Sequence, residues 1–371
     1  GEHVGQLDAG PVRGLLHGLP FGVKDLFDTF DLPTAYGSPI YAGQQPRADA
    51  AAVALCREAG AVLLGKTVTT ELANMFPGAT RNPHHSGHTP GGSSSGSAAA
   101  VADHLLPLAL GTQTAGSLIR PAAFCGVVAY KPSHQHVPRA GVKSLSETLD
   151  TVGGFARSVR DVALLGAVLT GDARLADPAG FEAGAAPRLG WCPTPEWAQA
   201  DGDTRHAWHQ AQQALGEAGV TVALPPGLVA VQKAIQAFET ARSLSHERLH
   251  HRQQLSEPLQ ALIAEGLAIS GETHAQNLQT TARARQQASA LFEHCDVILA
   301  PSSIGEAPAG LDGTGDPLFC RSWTLLGLPC VHLPFARGHS GLPVGLQVIG
   351  AAGDDHRLLA AAHWLHQRLA S

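Results

Sequence analysis

Apolar and polar positions in the first half of the chain alternate between short apolar runs and stretches with helical periodicity. Ala52, Val53, Leu55 and Cys56 fall on one side of a helix ending at Glu58, with Asp49 placed to cap it. Ala61 to Leu64 reads as a buried strand, Ser95 to His104 as a helix of small residues, and Leu106 to Leu110 and Val127 to Tyr130 as strands, the last stopped by Pro132. Ser158 to Thr170 is helical and stopped by Gly171. The stretch from Gly171 to Pro226 is less regular, with one clear helix at Thr204 to Ala218, and Leu228 to His294 is mostly helical. Strands return at Val297 to Ala300, Cys330 to Pro334 and Leu346 to Ile349, and Asp354 opens a closing helix to Leu369. The alternation predicts an α/β fold, a sheet flanked by helices, in a single domain over residues 1–371 with a mostly helical excursion at about 171–294.

Composition supports a large core: 44% of residues are apolar and only 15% charged. The net charge of −6 is carried by dispersed residues, with no basic block of the kind that nucleic acid or an anionic membrane would require. No apolar run is long enough to span a bilayer. The six cysteines form no CxxC pair and read as buried free thiols in a reducing cytosol. The expected location is therefore the cytoplasm. The chain starts at Gly1 with no methionine, which leaves an upstream segment open.

Three catalytic patterns match formally and fail on context. Gly60 to Thr67 fits the phosphate-loop expression, but Ala61 to Leu64 between its glycines is a strand rather than a flexible loop. His246 to His250 fits HExxH, yet the chain has 20 histidines, Gln253 stands where the longer zinc motif needs glycine, and neither Glu257 nor Glu265 is singled out as a third ligand. Gly92 to Gly96 fits the GxSxG elbow around Ser94, but His88 to Gly91 is a poor strand to precede it.

A fourth pattern is longer. Residues 90–102 read PGGSSSGSAAAVA, residues 111–132 read GTQTAGSLIRPAAFCGVVAYKP, and GLPFGVKDLFD lies upstream at 18–28. With AGAVLLGKT at 59–67, RNP at 81–83, ARSVRDVALL at 156–165 and GLPVGLQVIG at 341–350, these blocks resemble the amidase signature family of serine hydrolases, in the same order and over most of the chain. The resemblance implies a mixed central sheet with helices on both faces. It also implies a catalytic set of Lys24 as base, Ser93 as proton relay after a cis peptide, and Ser117 as nucleophile. The amides of Thr114, Ala115 and Gly116 become the oxyanion donors, and Ala73, Asn74 and Met75 fall where members line the acyl pocket. Arg120 matches an arginine that binds a substrate carboxylate in malonamidase-like members. A structural pair with an internal carboxylate is the alternative, and the reading leans to that alternative.

The chemistry is coherent on residue types alone. A serine hydroxyl needs a base to attack an amide, and no histidine lies near these segments except His84, His85 and His88 in a loop. A lysine serves only as the neutral amine, so burial must lower its pKa. Lys24 sits among Phe21, Val23, Leu26 and Phe27, with a surface lysine beside Asp25 as the bland alternative. Gln113 and Ala115 replace the usual Asp and Gly of the family's nucleophile segment, and Ser95 replaces a usual glycine. The expected activity is hydrolysis of a small-molecule, non-peptide amide without metal or cofactor. The alternatives are an amidotransferase A-type subunit working in a complex, or an esterase or carbamate hydrolase. A homodimer is the candidate assembly, although the N-terminal helical stretch usual in the family is short or missing here.

Overall fold

The computed structural model describes residues 10–182, 186–216 and 219–369. Its ten strands are β1 (Pro20–Lys24), β2 (Val62–Thr67), β3 (Leu108–Gln113), β4 (Val128–Lys131), β5 (Thr151–Ala156), β6 (Leu189–Trp191), β7 (Gly219–Thr221), β8 (Val297–Pro301), β9 (Cys330–Arg337) and β10 (Pro343–Ile349). They form one sheet in the order β2-β1-β3-β5-β4-β9-β10-β8-β6-β7. The two flanks, β2-β1-β3 and β8-β6-β7, pair in parallel, and the middle pairs antiparallel.

Among the described residues there are twelve α-helices: α1 (Ala51–Glu58), α2 (Ser95–Ala102), α3 (Ile119–Cys125), α4 (Val159–Thr170), α5 (Pro178–Glu182), α6 (Gly202–Leu215), α7 (Leu228–Ser243), α8 (Ser245–His250), α9 (Glu257–Ala268), α10 (Gly271–Gln287), α11 (Leu318–Leu326) and α12 (Asp355–Leu369). No helix is long and apolar enough to cross a membrane.

The period of two along each strand sorts side chains into two cores. Leu108, Leu110, Val128, Tyr130, Val297 and Leu299 pack on one face with α1, α4 and α12. Ala109, Ala129, Phe155, Ile298 and Ala300 pack on the other with α2, α3 and α11. Both faces are covered, as the resemblance implied, which is what a sheet with parallel flanks requires.

Several expected boundaries shift. Ala50, not Asp49, stands at the cap of α1 without a side-chain bond. Asp49 instead accepts from Phe30 N at 3.0 Å and pairs with Arg57 at 3.0 Å. Helix α4 matches expectation at both ends, with Ser158 accepting from Asp161 N and Gly171 left-handed at φ 72. The helix expected at Thr204 to Ala218 starts two residues early, on an Asp201 cap, and Ala218 lies outside the described residues. The stretch read as irregular contributes β6 and β7, which extend the sheet beyond β8. The phosphate-loop match is strand β2, and Lys66 is pinned there by Asp25 at 3.0 Å, Phe27 O and Thr34.

Candidate active site

Parallel strands β1 and β3 deliver their C-terminal ends side by side, the usual place for a site in such a sheet. Lys24 closes β1 with no exposed surface. Asp25 pairs with Lys66, and among the described residues no carboxylate is in contact with Lys24. Its Nζ donates to Ser93 Oγ at 2.7 Å and to Thr112 Oγ1 at 2.7 Å. Burial lowers its pKa to about 7 against an upward pull from the Asp150 charge, so much of it is the neutral amine near neutrality.

Ser93 follows a cis peptide after Gly92 and leads into α2. Arg120 Nη2 donates to the Gly92 carbonyl at 2.6 Å, and Arg120 Nη1 donates to Gly315 O. Arg120 therefore neither pairs with an internal carboxylate nor keeps both amino groups open. It holds the peptide that carries Ser93. Thr70 N donates to Ser93 O at 3.2 Å, which ties the Ser93 segment to residues 70–74. There Leu72 and Ala73 take positive φ (44 and 55), a region that non-glycine residues seldom adopt. The side-chain amide of Asn74 is buried with neither atom partnered, while Met75 is 47% exposed.

Ser117 lies between β3 and α3 and is 8% exposed. No hydrogen bond joins its Oγ to Ser93 or to any other described residue, as is common before substrate binds. The turn ahead of it is fixed through its carbonyls. Gln232 Nε2 donates to Thr114 O at 3.0 Å, Thr324 Oγ1 to Ala115 O at 2.7 Å, and Arg120 N to Gly116 O at 2.8 Å. In a planar trans peptide the N–H points opposite the carbonyl, so each N–H of Ala115, Gly116 and Ser117 points away from the group that holds its own peptide's carbonyl. None of these three, nor Thr114 N–H, has an acceptor among the described residues. Buried N–H groups are rarely left unpaired, so these four donors beside Ser117 stand out in the fold.

Gln113 supplies a side-chain acceptor to the first turn of α3. Its Oε1 accepts from Leu118 N at 2.9 Å and Ile119 N at 3.1 Å, and its Nε2 reaches Thr324 at 2.9 Å. An amide thus replaces a carboxylate without removing the acceptor that α3 needs. Asp150 accepts from Thr114 Oγ1 at 2.6 Å and from Leu145 N and Ser146 N, which binds the 144–150 loop to the same turn. Burial pushes its pKa up while those hydrogen bonds pull it down. A cavity of about 290 Å³ opens beside Thr112, Thr114, Lys143 and Asp150.

Thr112, Asp150, Gln232 and Thr324 join the site without having been expected in it. Thr112 does carry a signal, as a polar residue in a wholly buried strand. The other three are brought in from distant segments with no local signal.

The rejected patterns are accounted for. Ser94 is buried, with its Oγ donating to Thr112 O at 3.3 Å. Glu247 of the HExxH match is buried against Lys143 and Tyr41, unavailable as a metalloprotease base. His84 and His88 bond backbone carbonyls of Cys125 and Ala307. All six cysteines are free and buried.

The family model for amidases matches residues 3–359. The chain belongs to the amidase family. In Oleidesulfovibrio alaskensis, the A-type subunit of the glutamyl-tRNA(Gln) amidotransferase is 34% identical over 95% of this chain and 84% of its own length. A solved amidase is 32% identical with a TM-score of 0.88 over 99% of this chain and 88% of that one. The peptide amidase of Stenotrophomonas maltophilia is 30% identical with a TM-score of 0.81 over 99% of this chain and 86% of that one. The amidase fold extends over the whole described chain, sheet flanks included.

Proposed function

We propose that this chain cleaves a carbon–nitrogen amide bond through an acyl-enzyme on Ser117. The observation that carries this reading is the fully buried Lys24, its amine lowered to about 7 and held 2.7 Å from the Ser93 hydroxyl. Ser117 Oγ attacks the carbonyl carbon while its proton passes to Ser93, whose own proton passes to Lys24. A hydroxyl both donates and accepts, so Ser93 can perform this exchange. The oxyanion is received by the N–H groups of the 114–117 turn, where loss of one donor typically costs about 3 kcal/mol of barrier. As the C–N bond breaks, Ser93 gives its proton to the leaving amine and is reprotonated by Lys24. Water then attacks the acyl-enzyme with the same base.

The curated relatives favour a narrower version, in which the chain is the amide-hydrolysing member of an amidotransferase complex. Partner chains would then be needed for full activity. A fluorophosphonate should label Ser117, located by mass spectrometry, and Ser117→Ala should abolish labelling. Labelling of Ser94 instead would overturn the reading. Ammonia release from glutamine and from simple carboxamides, with and without co-purifying chains, separates the two versions; esters and carbamates belong in the same panel. Activity should survive EDTA, and a loss that zinc restores would move attention to His246 and His250.

A further inference from the structure

Arg321 lies on α11, whose inner face meets the 114–117 turn. A β-carbon on Gly116 would come within 2.7 Å of Pro317 and 3.1 Å of Cys320, and Thr324 binds Ala115 O. Arg321 stands four residues after Pro317 and three before Thr324, which places it on that same face. It is 8% exposed. Its Nη1 donates to Gln232 Oε1 at 2.5 Å and Gln236 Oε1 at 3.1 Å, and Gln232 in turn holds Thr114 O.

No carboxylate is in contact with this guanidinium among the described residues; Asp316 and Glu265 act on it only from a distance. Nε is buried without a partner, and Nη2 donates to no described group. These two nitrogens are neighbours on one edge of the fork, the edge that takes both oxygens of a carboxylate in parallel. Arg120 differs, because both of its amino groups are already spent on backbone carbonyls. A buried cation lacking a counter-charge is costly, and an anionic ligand would supply one.

We propose that Arg321 is a specificity-determining residue that binds a carboxylate carried by the amide substrate. The inference rests on Ser117 being the point of acyl transfer. The substrate class is then an amide whose acyl part ends in a carboxylate, with the scissile carbonyl at the 114–117 turn and the carboxylate on the Nε–Nη2 edge.

The test uses the Ser117→Ala chain, which cannot turn substrate over, with succinamate and glutaramate and their neutral methyl esters, measured by calorimetry. At least one acid should bind about 10- to 100-fold more tightly than its ester, the range of a charge-assisted bidentate pair. Adding Arg321→Gln should bring acid and ester within about 2-fold of each other, with Arg321→Lys intermediate, because a point charge remains but the fork is lost. Circular dichroism checks that both variants fold. Equal binding of acids and esters to the Ser117→Ala chain, a comparison that needs no change at position 321, would overturn the inference. So would loss of both probes alike in Arg321→Gln, which would mark the residue as a mere support for Gln232. Failure of the hydrolase reading shows separately, as absence of fluorophosphonate labelling in the unmodified chain.

Discussion

Two lysines in this sheet are completely buried, Lys24 at the end of β1 and Lys131 at the end of β4. In both, burial lowers the pKa. They differ in what they touch. Lys131 Nζ donates to the carbonyl of Pro132 at 2.9 Å, a group that can only accept. Lys24 Nζ donates to two hydroxyls, each of which can also give a proton away. Burial therefore disfavours the charged amine in both places, and the neighbouring group decides whether such an amine can serve as a base. Lys24, with two hydroxyls at 2.7 Å, fits the base of the proposed acyl transfer; Lys131, against a carbonyl, does not.

The largest effect that would break this contrast is on Lys24. Lys24→Ala should lower kcat/KM by about 10²- to 10⁴-fold, the usual contribution of a positioned base. In the proposed mechanism the active form is the neutral amine, whose pKa is lowered to about 7, so the rate of the unmodified chain should rise with pH through that value and then level off. The variant should lose that rise. A pH–rate profile that keeps its limb in Lys24→Ala would remove Lys24 from the mechanism.

Ser93→Ala should come next, with a loss about 10-fold smaller than that of Lys24→Ala, since a water can bridge the amine to Ser117 imperfectly. It should slow amides more than matched esters, because an amine leaves only after receiving a proton. Equal slowing of both substrates in steady-state kinetics would argue against the relay. Asp150→Asn should act more gently and with a defined sign. The Asp150 charge raises the Lys24 pKa, so its removal should move the acid limb to lower pH. An upward movement would mean that Asp150 acts through the Thr114 contact rather than through its charge.

The contrast also explains what can be read from the chain. Lys24, Ser93 and Ser117 sit in local motifs with tight spacing, as does the small-residue helix that follows Ser93. Strands β3, β4, β8, β9 and β10 are runs of apolar residues, and the pattern places them within a few positions. Strands β1 and β5 escape it, because PFGVK and TVGGFA carry glycines where a β-branched residue would signal a strand. A β-carbon on Gly22 would stand 2.3 Å from Leu106 Cδ1 and 2.9 Å from Thr67 Cγ2, so both side chains would have to shift to admit it. Helix α11 escapes it because it is only nine residues long and its polar Arg321, Ser322 and Thr324 are themselves buried, so the polar side faces protein rather than solvent. Arg321 and Thr324 are hidden with it. Asp150, Gln232 and Thr324 reach the 114–117 turn from 36, 118 and 209 residues away, and no spacing rule spans such distances.

The smallest expected effect on activity sharpens the comparison most. Lys131→Met should leave kcat/KM within about 3-fold, because the side chain touches no reacting group, and core substitutions of similar volume are tolerated best. Its signature belongs in stability. The folded pKa of Lys131 lies below its unfolded value, so the unfolded chain binds more protons between the two, and folding is penalised there. That penalty shrinks as pH rises toward the unfolded value of 10.5. Melting temperature in the unmodified chain should therefore climb from about pH 7 to about pH 8, with Lys24 contributing in the same direction, before the six thiols, whose pKa burial raises above 9.0, turn the trend. Lys131→Met should flatten the climb without abolishing it, and Lys24→Met should flatten it while also removing activity. Thermal unfolding between about pH 7 and about pH 8, set beside kcat/KM for both variants, separates the two. If Lys131→Met lost activity in step with Lys24→Met, burial rather than the hydroxyl partner would be the decisive feature, and the distinction between the two lysines would fall.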